Sequence, residues 1–355
     1  MEAIDIVILL AKVFVIWFTI VNVVPVMIYV ERKGAALIQD RPGPNRVGPF
    51  GLLQPVADAL KFLVKEDPIP HNVNKVLYCL GPFLALLPAC MTMAALPVGD
   101  SFEVAGRQVK LQIADIDVGI LYILAIGSLG VYGILFGGWA SNNKYSLMGA
   151  MRAASQLVSY EIPLGIAGAT AVMVFGTFSL REMTFLQEGT LFGFLPNWGV
   201  FYQPLGFLIF FISAFAETNR LPFDLPEAEA ELVAGFHTEY GSMKFATYFM
   251  AEYMNMAVIS GVMTALYFGG WHLPWISDQQ LMAWLGGSRN WLAAVQFATF
   301  FGKVAAFMLL FVWVRWTVPR FRFDQLMQLA WRNLIPLSLV NLIGSAIVMY
   351  FLVAK

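Results

Sequence analysis

Residues 217–240 read ETNRLPFDLPEAEAELVAGFHTEY and include six carboxylic acids: Glu217, Asp224, Glu227, Glu229, Glu231 and Glu239. Arg220 is the one formal positive charge among them. Pro226 suits the first position of a helix, and Asp224 just before it suits a cap. A helix from there sets Glu227 and Glu231 on one face, with Glu229 about 160–200° away. In water, like charges at that spacing repel only weakly, by roughly a few tenths of a kcal/mol. In a poorly hydrated cavity the repulsion grows, at least one proton is retained near neutral pH, and the cluster titrates as a unit. That is the chemistry of a proton-loading site. A solvated acidic loop is the plainer reading, but Leu221, Phe223, Leu225, Leu232, Val233 and Phe236 make this stretch greasier than such a loop needs to be.

Three further charges fall in apolar surroundings: Glu161 in SYEIP, Glu252 in AEYMN, and Lys303. Each costs about 2.5–3.5 kcal/mol at the centre of a membrane helix, so each is a functional suspect facing a protein interior. A structural Glu–Lys pair is the alternative to an ion path. Nearer the start, ERKGAALIQDRPGPNRVGP carries Glu31, Arg32, Arg41 and Arg46, the last two flanking a Pro-Gly-Pro turn that excludes regular structure. The next stretch, FGLLQPVADALKFLVKE, sets Gln54, Asp58, Lys61 and Lys65 on one helical face and apolar residues on the rest. It predicts an amphipathic helix, either lying on a bilayer or turning its polar stripe to a cavity. Asp58 and Lys61 are spaced for an ordinary ion pair.

These groups need a scaffold, and composition says which. The 355 residues are 59% hydrophobic and 13% charged, with a mean hydropathy of +0.70; soluble chains are nearer 45–50% apolar. Long unbroken apolar runs, and not alternating strands, predict an all-α polytopic bundle of about eight transmembrane helices. The candidate spans are 6–28, 77–97, 118–138, 161–178, 200–216, 244–269, 292–314 and 333–353, within a single membrane domain over 1–355. The first run follows Glu2 and Asp5 and reads as a retained span, not a signal peptide. Of the 22 Lys and Arg, one set of alternate loops carries about fifteen and the other about five, with Lys12 and Lys303 inside spans. The positive-inside rule then makes the first set cytoplasmic and puts both termini outside.

Net charge is −1, which leaves no nucleic-acid footprint. Cys79 and Cys90 are too few to hold an iron–sulfur cluster and read as buried small apolar residues. His71, His237 and His272 show no metal-ligand spacing, and His71 and His272 read as loop residues. No metal is expected.

The two loop motifs, with SYEIP and AEYMN, resemble the H-subunit family of bacterial proton-pumping NADH:quinone oxidoreductase, respiratory complex I, over essentially the whole chain. The resemblance implies a multi-pass protein of the bacterial inner membrane, with flavin and iron–sulfur clusters on partner chains only. It implies a substrate quinone, ubiquinone or menaquinone, in a chamber shared with peripheral quinone-site and iron–sulfur subunits. Small membrane subunits and antiporter-like subunits would be further partners. Carried over by motif, Glu31, Arg32, Arg46 and Asp58 would line the quinone path. Glu161, Glu217, Arg220, Asp224, Glu227, Glu229, Glu231, Glu239 and Glu252 would form the proton channel. The membrane subunit of energy-converting hydrogenases shares the fold and first loop and is the main alternative. A stand-alone ion transporter typically shows inverted repeats, and no such repeat is visible.

Overall fold

The computed structural model describes residues 3–104, 106–191, 193–227 and 229–353, and omits the side chains of residues 3–6, 16, 20, 229, 230, 352 and 353. The chain is helical nearly throughout, as its composition predicts. Helix α1 (Ala3–Ile38) precedes the short α2 (Gln54–Val64) and α3 (Lys75–Met93). Helices α4 (Gly119–Ser128) and α5 (Gly130–Ala140) act as one rod with a break at Leu129, followed by α6 (Lys144–Phe175) and α7 (Leu180–Leu186). Then come α8 (Gly199–Tyr202), α9 (Pro204–Glu217), α10 (Glu229–Leu232), α11 (Ser242–Tyr267), α12 (Asp278–Trp284) and α13 (Arg289–Thr317). Finally α14 (Phe323–Gln328) runs through a π-helical segment, Leu329–Leu334, into α15 (Ile335–Val353). Sheet is confined, among the described residues, to two small antiparallel hairpins, Ser101–Val104 with Arg107–Lys110 and Thr190–Leu191 with Leu195–Pro196.

Seven helices among the described residues are long and apolar enough to cross a membrane, and α9 is a shorter eighth apolar helix. Their surroundings explain their compositions. In α1 only 6% of the most apolar stretch is buried inside the protein, and in α15 only 11%. Leu10, Phe14, Val340 and Ile343 accordingly point outward. In α11 the buried share is 78%, and that helix is also the least apolar of the seven. A helix sheathed by protein can carry Glu252 where a lipid-facing one could not.

Close packing rests on small residues. Gly81 and Ala85 on α3 face Gly133 and Gly137 on α5. A Cβ on Gly81 would come within 3.0 Å of the Gly137 Cα, and one on Gly133 would strike the Ala85 backbone. Two membrane helices approach this closely only through such small-residue faces. Tyr248 of α11 reaches into the contact and donates to the Gly133 carbonyl at 3.0 Å.

Several expectations are corrected. Residues 31–38 do not belong to the first loop but complete α1, because nothing before Pro42 interrupts the helix. Glu161 does not open a span. It sits in the middle of α6, which starts at Lys144 where Asn143 accepts from the Tyr145 amide at 2.9 Å. No long helix follows Pro226 among the described residues: Glu229–Leu232 is α-helical and Gly235–His237 a 3-10 turn, and Asp224 pairs with Arg320 where a cap was expected. Cys79 is exposed and not buried as expected, while Cys90 is half-buried and packs against the core.

Candidate functional site

Glu31, two turns from the end of α1, is 8% exposed. Tyr253 Oη donates to its Oε2 at 2.7 Å, and Arg315 Nη1 lies 2.5 Å from its Oε1. Arg220 Nη1 lies 3.5 Å from Glu31 Oε2, and its Nη2 lies 3.8 Å from Glu252 Oε2. The Arg220 guanidinium also stacks on Tyr253, 4.1 Å from the ring centroid. Two acids and two arginines thus neutralise one another where α1, α11, α13 and the acidic loop meet. Burying these charges is tolerable only because each has a partner. Arg220 Nε and Arg315 Nε make no hydrogen bond among the described residues, so they are free to serve a polar group beside them.

A cavity of about 380 Å³ opens against this knot, lined by Glu31, Arg32, Ala35, Arg41, Pro44 and Trp316. Arg41, not Arg46, is the loop arginine that lines it. Arg46 is exposed and does not line it. Arg32 pairs with Asp58 of α2 at 2.5 Å, and Gln54 donates to the other oxygen of Asp58 at 3.1 Å. Asp58, held by Gln54, therefore faces α1 while Lys61 and Lys65 stay exposed, and the expected Asp58–Lys61 pair gives way to this one. Ser242 Oγ lies 2.8 Å from the carbonyls of both Phe62 and Lys65, pinning the end of α2 to the start of α11. Leu60, Leu63 and Val64 are left exposed on the outer side of α2.

Behind the knot the acids continue inward. Glu252 and Glu217 both line a cavity of about 30 Å³ between α3, α5, α9 and α11. Glu217 and Glu161 both line a second, of about 40 Å³. One water needs about 10–15 Å³ measured this way, so each cavity has room for two or three. Glu217 stands between them, and its Oε2 has no hydrogen-bond partner among the described residues. Lys303 does not join this line. Its Nζ donates to the carbonyls of Phe268, Gly270 and His272 at 2.7, 2.9 and 2.6 Å, so neither the expected Glu–Lys pair nor a place in the ion path applies to it.

The remaining acids of the loop separate. Asp224 is 4% exposed and pairs with Arg320 at 2.7 Å. Burial, then the nearby Glu227 charge, push its carboxyl up to about 7 against the pull of Arg320 and Arg315. Glu231 pairs with Arg152 at 2.5 Å with its side chain 55% exposed. Glu239 accepts from Asn143 Nδ2 at 2.6 Å, and the side chain of Glu229 lies outside the described residues. Gln156 holds the loop down, donating to the carbonyls of Ala216 and Phe223 at 2.8 and 2.7 Å. Phe223, Leu225 and Phe236 anchor it in the core.

Gly235 closes this loop with φ 58°, and a Cβ there would land on the Pro226 carbonyl. Gly235→Ala is expected to destabilise the fold by about 1–3 kcal/mol, the scale of local backbone strain. A lowered melting temperature of the purified assembly checks it; an unchanged one would mean the loop relaxes freely.

The sequence marks Glu31, Arg220 and Glu252 as chemically notable, and the structure brings them together. It gives no such sign for Tyr253, Arg315 and Trp316. Arg315 looks like one more basic residue at a helix end.

A family described as NADH dehydrogenase matches residues 10–346. The H-subunit 1 of NADH-quinone oxidoreductase from Cytophaga hutchinsonii is 52% identical over 324 residues, covering 91% of this chain and 91% of the relative. The H-subunit of the same enzyme from Bdellovibrio bacteriovorus is 46% identical over 366 residues, covering 96% and 95%. That of Flavobacterium psychrophilum is 50% identical over 321 residues, covering 90% of each.

Proposed function

The chain belongs to the NADH dehydrogenase family, together with the H-subunits of bacterial NADH-quinone oxidoreductases, and from that premise we propose that it forms the membrane wall of a quinone chamber and relays the charge of quinone reduction to buried acids. The observation that carries this reading is the neutral knot of Glu31, Arg220, Arg315 and Glu252. One side of it borders an open cavity, and the other leads to two water-sized cavities.

Quinone takes up two electrons and two protons to become quinol. The electrons would come from iron–sulfur clusters on partner chains, which this chain would serve to anchor. Negative charge appearing on the quinone pulls on the arginines and loosens their hold on Glu31 and Glu252. At an effective dielectric of about 20, two unit charges 4 Å apart interact by about 4 kcal/mol, and at twice that distance by about half as much. That is enough to change which acid holds a proton. The relay then runs from Glu252 to Glu217 to Glu161 through water in the two cavities. The basic loops would face the cytoplasm and both termini the periplasm.

Purification of the native assembly tests the reading. Flavin, iron–sulfur subunits and NADH-driven quinone reduction should accompany the chain; nickel in place of flavin would instead assign it to a hydrogenase. Within the assembly, Trp316→Ala opens the cavity wall and removes no charge, taking away only the ring that lies 6.0 Å from the Arg315 guanidinium. It is expected to raise the quinone KM about three- to tenfold with kcat nearly unchanged, the signature of lost uniform binding. A fall in kcat alone would place Trp316 outside the binding wall.

Asp224 adds a pH dependence. Its carboxyl is neutral below about pH 7 and charged above it. Asp224→Asn imitates the low-pH form at every pH. The variant-to-wild-type ratio of quinone turnover should therefore be nearest one at about pH 6 and fall towards about pH 8, on either side of that midpoint. A flat ratio would mean that the charge of Asp224 does not bear on quinone turnover.

A further inference from the structure

On the face opposite the acidic loop, three side chains able to bind a metal converge from separate elements. Glu188 follows α7, His272 follows the turn after α11, and Asp278 opens α12. One ligand atom from each lies within 4.8 Å of the others. His272 is 2% exposed, yet neither ring nitrogen makes a hydrogen bond among the described residues. Its Nδ1 points at Asp278 Oδ1, 3.2 Å away. A buried imidazole held only as a structural group normally has a hydrogen-bond partner.

The surroundings hold these groups in place and leave one oxygen of each acid for a ligand. Gln296 Nε2 donates to Asp278 Oδ2 at 2.8 Å, which leaves Oδ1 towards the imidazole. The Asp278 amide donates to Glu188 Oε1 at 2.9 Å, which leaves Oε2. Lys303 grips the carbonyls of Phe268, Gly270 and His272, fixing the backbone that presents the ring. Such outer contacts orient ligands in metal sites.

We propose that Glu188, His272 and Asp278 form a binding site for a divalent transition-metal ion of the Zn²⁺ class, with a fourth position open to solvent. Zinc takes nitrogen at about 2.0–2.1 Å and carboxylate oxygen at about 2.0–2.2 Å in a tetrahedron, so adjacent ligand atoms stand roughly 3.3–3.5 Å apart. The His272–Asp278 separation of 3.2 Å is already close to that edge. Glu188 has only to swing its free oxygen inward. An imidazole among the ligands favours zinc over calcium or magnesium, which take oxygen alone. Two carboxylates also give the charge that a dication needs. Sequence spacing hides the site because its ligands come from three separate elements.

The test uses the whole native assembly carrying the wild-type chain, His272→Gln or Asp278→Asn. Each preparation is stripped with a chelator, loaded with zinc chloride, desalted and analysed for zinc by mass spectrometry. The wild type is expected to retain one zinc more per chain than either variant, and half-loading of that site should need at least tenfold more zinc in the variants. Equal zinc in all three overturns the proposal and leaves His272 as a structural partner of Asp278. Should the variants fail to assemble, zinc-edge absorption on the loaded wild type decides: a shell of one nitrogen and oxygens supports the site, and the absence of any such zinc overturns it.

Discussion

Arg220→Met is expected to lower NADH-driven quinone reduction at least a hundredfold while NADH oxidation by an artificial acceptor stays within about twofold. Arg220 is 4% exposed and bridges Glu31 and Glu252 from the acidic loop. Removing one member of a buried charge network leaves the others uncompensated, at about 3–5 kcal/mol. If the knot is re-formed only as quinone is reduced, that cost falls on the reaction barrier, and at about 1.4 kcal/mol per tenfold even the lower figure amounts to about a hundredfold in turnover. Methionine keeps most of the volume, so lost packing is the smaller part of the effect. Arg220→Lys restores the charge but not the planar fork that reaches two carboxylates while stacking on Tyr253. It should recover only part of the rate. Both assays falling together would make the knot a structural device, and wild-type quinone turnover in the methionine variant would remove it from the chamber.

The scaffold is the more legible part of this molecule. Apolar runs of about twenty residues identify membrane helices with little help from context, because lipid leaves the backbone no other partner. Boundaries are less legible for a related reason. Residues 31–38 and 144–160 are polar enough to read as loop, yet both continue their helices, since protein and water can surround a helix end as well as lipid can.

The site is legible in composition but not in pairing. An acidic stretch without enough cations of its own must find them elsewhere, and Arg320 and Arg152 are those cations for Asp224 and Glu231, while Arg315 serves Glu31. Nothing local marks them. Tyr253 and Glu31 are separated by 222 residues, and such contacts are set by how α1, α11 and α13 pack. Lys303 fails as an ion-path residue because its partners are backbone carbonyls, which every residue carries and no sequence pattern displays. His272 reads as an ordinary loop residue for the same kind of reason: its acidic neighbours are brought to it by the turns after α7 and before α12.

The same separation of the acids yields the second large effect. By spacing alone Glu227 and Glu231 are the prime pair, since a helix would hold them together. The structure sets Glu231 on the surface, where its bond to Arg152 is worth about 0.2–1 kcal/mol. Glu217 takes over that importance as the acid common to both inner cavities. Glu217→Gln keeps the shape and a hydrogen-bonding end but holds no transferable proton. It is expected to cut quinone turnover and its coupled proton movement at least tenfold, with the artificial-acceptor rate preserved. Glu231→Gln should stay within about twofold of wild type in every assay. A buried acid that only filled space would tolerate glutamine as well as the surface acid does, so equal and small effects would sink the relay. The reverse order, with Glu231 the sensitive residue, would move the proton path from the interior to the loop surface.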